Sequence, residues 1–278
     1  MNEDIKISVL VTCYNHAPFI AKALNSVMSQ DFNSLEIIVL DDASRDSSQE
    51  VIKKATDGRT NVRLVCHQQN QGIMATFNEG LRLARGEHMA VLDGDDYWAD
   101  PTKLSRQDRF LEEHPDYVLV GSGILQIDRG GGELYKTSNL CTDEEIRKFM
   151  LIENPLGHSS VLYRRQAVIS AGGYAGLRVN LDYELWLKLG LKGKLANLSE
   201  YSTVHRLTGL NTMTRLKFVM YRERVGLIWA YRRRYPHWLK GLLKTCLEVL
   251  GAILPPAWKQ FLVKVLGYSK IKQLLFYR

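Results

Sequence analysis

The sequence predicts an α/β protein with a mostly parallel central sheet flanked by helices. Within the first 93 residues, apolar runs rich in Val, Ile and Leu alternate with segments of helical periodicity. Such alternation favours right-handed crossovers between parallel strands, with helices packed against the sheet. The 278 residues, of which 45% are hydrophobic, are enough to bury a substantial core.

The first part of the chain predicts four strands joined by helices. The strands are predicted at residues 7–12, 35–40, 62–66 and 89–93. The helices are predicted at residues 17–30, from Asp46 or Ser47 through Val51 and Ile52, and between Gly72 and Leu83. Ligands of parallel sheets bind beyond the carboxyl ends of the strands, which is where Asp41, Asp42 and residues 93–96 fall.

The second part of the chain has a mixed pattern. Helices are predicted at residues 101–113, 142–151 and 182–191, extended segments at 117–127, 161–163, 194–198 and 201–205, and a turn at 129–132. From about residue 216 the chain is predicted to be helical. We therefore divide it into residues 1–115, residues 116–215 and a C-terminal amphipathic helical extension, residues 216–278.

The C-terminal extension carries two apolar stripes with basic residues opposite. The first stripe consists of Leu239, Leu242, Leu243, Cys246, Val249, Leu250 and Ile253, facing away from Lys240, Lys244 and Glu248. The second stripe follows Pro255 and Pro256 and consists of Trp258, Phe261, Leu262, Val265 and Leu266. No uninterrupted apolar run reaches the ~20 residues that a membrane span requires.

The net charge of +7 is divided unevenly along the chain. Residues 1–205 hold 22 Lys and Arg against 28 Asp and Glu, a net charge of −6, whereas residues 206–278 hold 15 against 2, a net charge of +13. A basic tail on an acidic body indicates an anionic partner, either nucleic acid or a lipid surface. The four cysteines are scattered, which favours a reducing compartment, and the acidic N-terminus predicts no secretory signal.

Asp93, Asp95 and Asp96 form the densest acidic cluster, directly behind an apolar strand. Carboxylates this close repel each other unless a cation lies among them, and Mg²⁺ or Mn²⁺ prefers oxygen ligands together with substrate phosphates. The alternative is a solvated turn, which Asp and Gly also favour. No glycine-rich dinucleotide loop, P-loop or nucleophile elbow is present in the sequence, so we expect phosphates to be held through a metal.

Short motifs occur in order along the first 206 residues, and most of them lie before residue 97. They are SVLVTCYN at 8–15, SVMSQ at 26–30, EIIVLDDASRD at 36–46, NQG at 70–72, NEG at 78–80, ARGE at 84–87 and LDGDD at 92–96. Taken together, this ordered set resembles inverting glycosyltransferases of family 2 with the GT-A fold. The resemblance implies a nucleotide-sugar-binding half over residues 1–115 and an acceptor-binding half over residues 116–215.

The resemblance implies roles for individual residues of the first half. Asp42 would accept the imide N–H of a uracil or thymine base and Tyr14 would stack on that base. Asp42 could alternatively be a turn residue that caps a helix, and Tyr14 could alternatively pack in the core. Asp93 would reach the ribose or the metal. Donor binding would also involve Thr12, Asn15, Asn70, Gly72 and Gly94, and the metal ligands would be Asp95, Asp96 and His205.

The second half carries the implied catalytic base. LDYELWLKL at 181–189 resembles the Glu-Asp-x-Asp-Leu-Trp segment of the family, whose central Asp is the base. Asp182 matches this Asp, whereas Leu181 and Glu184 replace the other two acids. A helix N-cap is the alternative role for Asp182. A single base implies in-line attack and inversion at the anomeric carbon, and His158 matches a position near the acceptor.

The expected function is therefore metal-dependent transfer of a sugar from a UDP- or dTDP-sugar. The acceptor would be a hydroxyl of a glycan or lipid-linked glycan in cell-surface polysaccharide synthesis, with Mn²⁺ or Mg²⁺ as cofactor. We expect the C-terminal helices to bind the anionic inner face of the plasma membrane from the cytoplasm. The alternatives are a sugar nucleotidyltransferase, whose glycine-rich basic loop is missing here, and a nucleic-acid-binding protein that uses Arg232–Arg234.

Overall fold

The computed structural model describes residues 5–137, 139–209 and 216–254, which form a nine-stranded sheet flanked by helices. The strands are β1 (Ile7–Cys13), β2 (Leu35–Asp41), β3 (Val62–Cys66), β4 (His88–Asp93), β5 (Tyr97–Trp98), β6 (Tyr117–Asp128), β7 (Glu133–Lys136), β8 (Leu162–Arg164) and β9 (Lys194–Leu207). The helices are α1 (Ile20–Met28), α2 (Ser48–Ala55), α3 (Ile73–Leu83), α4 (Lys103–Glu113), α5 (Asp143–Phe149), α6 (Arg165–Ser170), α7 (Leu181–Leu189), α8 (Lys217–Tyr231) and α9 (Trp238–Ile253).

The first half of the sheet is parallel, as predicted. Its strand order is β3-β2-β1-β4, so the chain reverses its direction of progress across the sheet between β3 and β4. β1 and β2 are buried along their whole length, which explains why both read as continuous apolar runs. This order creates a topological switch point at the carboxyl ends of β1 and β4, where ligands of open α/β sheets bind.

The second half of the sheet is mixed. β8 lies antiparallel between β4 and β6, β9 runs parallel to β6, and β5 and β7 pair antiparallel at the periphery. The segments predicted at 194–198 and 201–205 belong to the single strand β9, whose register with β6 shifts between Ser122 and Ile124. β9 thereby returns the chain to β5, which lies just after β4 in the sequence.

Two apolar clusters cover the two faces of the sheet. Alternate residues of β1 point to opposite faces, so Leu10 joins one cluster while Val9 and Val11 join the other. Helices α1, α2 and α4 pack on the face of Val9, and helices α3, α5 and α7 pack on the face of Leu10. The central sheet flanked by helices is confirmed.

Helices α8 and α9 form a hairpin that packs on the second half of the molecule. Leu227, Ile228 and Tyr235 enter the same apolar cluster as Trp186 of α7. Helix α9 approaches the body through small residues, Gly241 and Thr245, which are both buried. The outer face of α9 is apolar and exposed, and it consists of Leu239, Leu243, Cys246, Leu250 and Ile253.

The predicted first stripe of the extension is therefore divided between two surroundings. Leu242 packs against the core, whereas most of the stripe faces outward. Lys244 and Glu248, predicted on the opposite face, form ion pairs near the body of the protein. Among the described residues, no helix is both long enough and apolar enough to cross a bilayer. The second stripe lies outside the described residues.

Candidate active site

The polar residues of the motifs converge beyond the carboxyl ends of β1, β2 and β4. Parallel pairing aligns Thr12 with Asp93 and Cys13 with Asp41, so the loops that follow these strands leave the sheet side by side. The parallel register thus assembles into one region residues that are up to 81 positions apart in the sequence.

Hydrogen bonds join the loop after β1 to the loop after β2. Asn15 has a left-handed backbone (φ 57°), and its side-chain oxygen accepts a hydrogen bond from the Arg45 amide at 2.8 Å. The Asn15 amide donates to Ser44 Oγ at 2.8 Å. The Asp41 carboxylate accepts from the Ser44 amide and from Gln49, which fixes the second loop. Tyr14 stays 40% exposed beside these loops, so its ring is accessible to a ligand rather than packed in the core.

The helix α1 begins later than predicted because of the same loop connection. The amides of His16 and Ala17 donate to Ser48 Oγ and Asp46 Oδ2, which lie on the other loop. Residues 16 and 17 are thereby held in the loop, and α1 starts at Ile20 instead of residue 17.

Asp42 is buried at the end of β2 and organises the loop that follows β3. Its Oδ1 accepts a hydrogen bond from the Gln71 amide at 2.8 Å, and its Oδ2 accepts one from the Gly72 amide at 2.9 Å. Asn70 donates its side-chain amide to the Asp42 backbone oxygen at 3.1 Å. Because a carboxylate oxygen can accept two hydrogen bonds, Oδ2 keeps the capacity to accept one from a ligand.

His67 links Asp42 to a second acid. Its Nδ1 lies 2.7 Å from Asp42 Oδ1 and its Nε2 lies 2.9 Å from Glu79 Oε2. Burial opposes protonation of this ring, but the two carboxylates outweigh burial and raise the pKa of His67. A cleft of about 350 Å³ opens beside this group and is lined by residues 43–45, 49 and 67–70.

Asp93 and Gly94 form the floor of the site. Thr12 Oγ1 donates to Asp93 Oδ1 at 3.1 Å, and His158 Nδ1 lies 3.9 Å from Asp93 Oδ2. Burial alone would raise the pKa of Asp93, but His158 outweighs burial and the pKa is lowered. Gly94 donates its amide to the Thr12 carbonyl at 2.8 Å, and a Cβ at Gly94 would lie 2.7 Å from that oxygen. Only glycine fits this close contact between the two strand ends.

Asp96 is held entirely by protein donors. Its Oδ2 accepts a hydrogen bond from Ser159 Oγ at 2.6 Å, and its Oδ1 accepts one from the Arg206 amide at 2.9 Å. Burial raises the pKa of Asp96 to about 7. Asp96 thereby ties the loop after β4 to β9 and to the short 3-10 helix at His158–Ser160.

Asp95 and His205 have the properties of metal ligands. Asp95 is 8% exposed, burial raises its pKa, and no other residue in the described ranges donates a hydrogen bond to its carboxylate. His205 donates Nδ1–H to Gln126 Oε1 at 2.7 Å, which orients the ring so that Nε2 is the nitrogen that could bind a cation. A buried carboxylate without a donor and an oriented imidazole fit a divalent cation.

A second acid cluster at the opposite end of β4 does not fit a cation. Glu87, His88 and Glu112 bring three potential ligand atoms within 4.8 Å of one another. The ammonium group of Lys6 lies 2.6 Å from Glu87 and 2.7 Å from Glu112, so these carboxylates already have a positive partner. His88 Nδ1 is in turn bonded to Asp108 at 2.7 Å. This cluster is an ion-pair network that joins β4 to α4.

Asp182 lies in the first turn of α7 and shares an electrostatic group with Asp93 at the end of β4. Asn154 donates its side-chain amide to Asp182 Oδ2 at 3.0 Å. Burial raises the pKa of Asp182, with the positive charge of His158 opposing this shift. The His158 ring interacts with Asp93 and Asp182 and packs 4.4 Å from the Phe77 ring, measured between centroids. His158 therefore links Asp93 at the end of β4 to Asp182 of α7.

Sequence reasoning missed four groups that shape this site. Ser159 and the Arg206 amide hold Asp96, His67 holds Asp42, and Asn154 holds Asp182. Ser159 directly follows His158 in the sequence. The segment GHSS at 157–160 could therefore have indicated that Ser159 also belongs to the site. The contact of His67 with Asp42 depends on the alignment of β2 with β3, which local sequence does not reveal.

The sheet order and the placement of the acids define a glycosyltransferase with the GT-A fold. The profile of Glycosyl transferase family 2 matches residues 8–174, more than half of the chain. The chain belongs to this family, and the predicted family and enzyme class are confirmed.

Two curated relatives and two solved structures illustrate the similarity. The chain is 30% identical over 197 residues to the "Putative glycosyltransferase EpsE" of Bacillus subtilis, covering 69% of each chain. It is 26% identical to the "Amylovoran biosynthesis glycosyltransferase AmsE" of Erwinia amylovora, covering 92% of this chain and 97% of the relative.

The solved structures share the fold at low sequence identity. S. aureus TarS 1-349 in complex with UDP has a TM-score of 0.68 and 20% identity, covering 92% of this chain and 78% of TarS. The mannosyltransferase PcManGT from Pyrobaculum calidifontis, in complex with GDP-Man and Mn²⁺, has a TM-score of 0.68 and 17% identity, covering 97% of this chain and 84% of PcManGT.

We expect His67 to make the stability of the protein depend on pH. Because its pKa is raised on folding above the ordinary 6.5, protonated His67 stabilises the fold fully below pH 6.5, and this contribution is lost as the pH rises through the folded-state pKa. His67→Gln cannot titrate, so its free energy of unfolding should fall less than that of the wild type as the pH rises above 6.5. Urea unfolding at a series of pH values measures this difference. His114→Gln, at an exposed position, is the control, and identical pH slopes for His67→Gln and the wild type would contradict the assignment.

Proposed function

We propose that this glycosyltransferase moves a sugar, with inversion, from a UDP- or dTDP-sugar to a hydroxyl of a glycan or lipid-linked glycan. The observation that carries the proposal is the electrostatic group formed by Asp93, His158 and Asp182. It brings an acid of the second half of the molecule to the donor edge of the first half. A base on one side of the anomeric carbon and the diphosphate on the other is the arrangement that inversion requires.

The donor nucleotide would bind between Tyr14 and Asp42. The exposed ring of Tyr14 can stack on a base, and Asp42 Oδ2 can accept one imide N–H in addition to the Gly72 amide. Asn15, Asn70 and the backbone at Gly72 form the adjoining polar wall. A pyrimidine with an imide N–H would satisfy this acceptor. The TarS structure holds UDP and the PcManGT structure of the same fold holds GDP-Man, so the choice of base rests on Asp42 and Tyr14 rather than on the fold.

Asp95, His205 and Asp93 would hold Mn²⁺ or Mg²⁺ together with the diphosphate. When bound, the cation would neutralise charge that develops on the departing phosphates. Asp96 accepts one hydrogen bond at each oxygen, from Ser159 and from the Arg206 amide, so it would orient the loop that presents Asp95 and keep acceptor capacity for the same cation. The Mn²⁺ in the PcManGT structure, which shares this fold, supports a metal-dependent mechanism.

Asp182 would act as the general base. Burial raises its pKa, which increases its proton affinity and brings it closer to that of the acceptor hydroxyl. Asn154 and the Tyr183 amide both donate to this carboxylate, which keeps lone pairs that could take the proton. His158, held by Tyr174 at 2.9 Å, would screen Asp182 from the negative charge of Asp93.

The acceptor would be a growing cell-surface polysaccharide or its lipid-linked precursor. The similarity to the amylovoran biosynthesis enzyme AmsE supports a polysaccharide product, because it extends over 97% of that relative. We further propose that the enzyme works at the cytoplasmic face of the plasma membrane, where a lipid-linked acceptor is accessible.

The outer face of the α8–α9 hairpin would bind the anionic membrane surface. It presents the exposed side chains of Leu239, Leu243, Leu250 and Ile253, together with Trp229 of α8. Arg232–Arg234 follow directly in the connection between the helices, within a segment whose net charge is +13. An apolar face bordered by basic residues fits the interface of an anionic bilayer better than the grooves of a nucleic acid.

The metal assignment predicts the effect of Asp95→Ala. Because this substitution removes a ligand that no other described residue replaces, turnover should fall by roughly 10²–10³-fold without loss of the fold, and EDTA should abolish wild-type turnover. Sugar transfer with added Mn²⁺ or Mg²⁺ and circular dichroism measure the two effects. Glu112→Gln, in the ion-pair cluster at the opposite edge, should keep wild-type turnover. Full activity of Asp95→Ala in the presence of chelator would refute the metal site.

The base assignment predicts the effect of Asp182→Asn. The amide keeps the size of the side chain but cannot take a proton, so turnover should fall by ~10²–10⁴-fold while the affinity for UDP is retained. Single-turnover transfer and titration with UDP separate these quantities. Glu184→Gln, two residues along the same helix, is the matched control. Wild-type turnover by Asp182→Asn would mean that another group removes the proton.

The membrane assignment predicts the effect of replacing exposed leucines of α9. The double variant Leu243→Gln, Leu250→Gln removes apolar contact area, so binding to phosphatidylglycerol vesicles should weaken by about 10-fold or more. Vesicle flotation at low and high salt measures binding. Leu134→Gln with Leu191→Gln, both exposed elsewhere, is the matched control. Unchanged flotation would contradict the lipid assignment, and a salt-sensitive shift of RNA or DNA that the α9 substitutions abolish would favour nucleic acid.

A further inference from the structure

A buried carboxylate of α8 holds the segment that leads into α7. Glu223 Oε1 accepts a hydrogen bond from the Arg178 amide at 2.7 Å. Its Oε2 accepts from the amides of Val179 and Asn180, each at 3.1 Å, and from Asn180 Nδ2 at 3.2 Å. Three successive backbone amides therefore converge on one side chain from an element 43 or more residues away.

The segment held by Glu223 determines where α7 begins. Asn180 is the residue before the helix, and its carbonyl accepts the first helical hydrogen bond, from the Glu184 amide at 3.0 Å. Asp182 lies two residues farther on, in the first turn, so its position depends directly on the backbone at Asn180. Asn180 Nδ2 also donates to the Met220 carbonyl of α8 at 3.0 Å, which adds a second link to the same helix.

The α8–α9 hairpin also holds the segment that orients the Asp182 carboxylate. Arg224, which is fully buried, donates to the Ile152 carbonyl at 2.5 Å, and Lys244 of α9 pairs with Glu153. Asn154, the next residue, donates to Asp182 Oδ2. Gly241 packs so closely on the Leu151 carbonyl that a Cβ would overlap it. Both supports of Asp182 therefore rest on the hairpin.

The hydrogen bonds of Glu223 indicate that it positions the backbone before α7 rather than only attaching α8 to the protein. Burying a carboxylate is costly unless it is well hydrogen-bonded, and an apolar side chain would attach a helix at lower desolvation cost. Charge-assisted hydrogen bonds to consecutive amides instead fix one backbone conformation, because each bond constrains both direction and distance. Such a constraint is useful where a small displacement of a reacting group is costly.

We propose that Glu223 is a positioning residue that holds Asp182 in place for proton removal, with the α8–α9 hairpin as its support. The proposal rests on the role of Asp182 as base. It makes the C-terminal hairpin part of the acceptor half of the active site. The donor edge at β1, β2 and β4 has no contact with Glu223 among its described hydrogen bonds, so donor affinity does not depend on this residue.

The test measures turnover and donor affinity of Glu223→Gln separately in the full chain. The variant keeps one acceptor oxygen but turns an N–H₂ group toward the amides, so kcat should fall by about 10–100-fold. The affinity for UDP should stay within about twofold of the wild type. Glu144→Gln, an exposed glutamate of α5, is the matched control and should change neither quantity.

A double-mutant cycle with Asp182→Asn distinguishes positioning from general destabilisation. If Glu223 acts through Asp182, adding Glu223→Gln to Asp182→Asn should reduce the residual turnover by less than about twofold. Equal fold-losses in both backgrounds, or a wild-type kcat for Glu223→Gln, would overturn the proposal. Wild-type turnover by Asp182→Asn would instead refute the base assignment itself. Should Glu223→Gln fail to fold, Glu223→Asp, which keeps the charge but shortens the reach, carries the same cycle.

Discussion

Burial of negative charge at the carboxyl edge of the sheet is the constraint on which the rest of the site depends. Each buried acid there needs donors, because hydrogen bonds to a charged group contribute about 1.5–3 kcal/mol and an uncompensated charge costs more. Asp41 and Asp42 obtain theirs from loop amides, and Asp96 obtains its own from Ser159 and Arg206. Meeting this requirement fixes the loops after β1, β2 and β4. Asp95 accepts no hydrogen bond from another described residue, and it is the acid that we propose as a contact for a cation.

The α8–α9 hairpin has two faces of different chemistry. Its inner face is polar and specific, with Glu223 and Arg224 bonded to backbone groups around Asp182. Its outer face is apolar and exposed, with Leu243 and Leu250 near its middle. Because the two faces belong to the same rigid pair of helices, contact of the outer face with a membrane would act on the segments that carry the base. Recruitment to an acceptor-bearing surface and alignment of the base would then be properties of one element.

Local sequence predicted the parallel half of the fold and the position of the acids at its strand ends. β1, β2 and β4 are buried on both sides, so each leaves a continuous apolar run, and the runs of β2 and β4 end at these acids. Strand β9 joins the two segments predicted at 194–198 and 201–205. This continuity depends on pairing with β6, which cannot be inferred from the hydrophobic periodicity of the sequence. The partners of the acids were equally hidden, since His67 with Asp42 and Glu223 with Asn180 are contacts between distant segments. The motif at 181–189 pointed to Asp182, but it did not reveal that the α8–α9 hairpin holds the segments around this residue.

Helix geometry explains why one acid of the α7 segment, and not both, can serve the site. Successive helical residues are about 100° apart, so Glu184 points about 200° away from Asp182 around the axis. Glu184 Oε1 accordingly lies 3.2 Å from Lys188 on its own helix, whereas Asp182 interacts with His158 and Asp93. Replacement of the family's second Asp by Glu184 thus changes a position directed away from the donor edge. The lengthened side chain reaches Lys188, which leaves Asp182 as the acid of this segment to which we assign the proposed role of base.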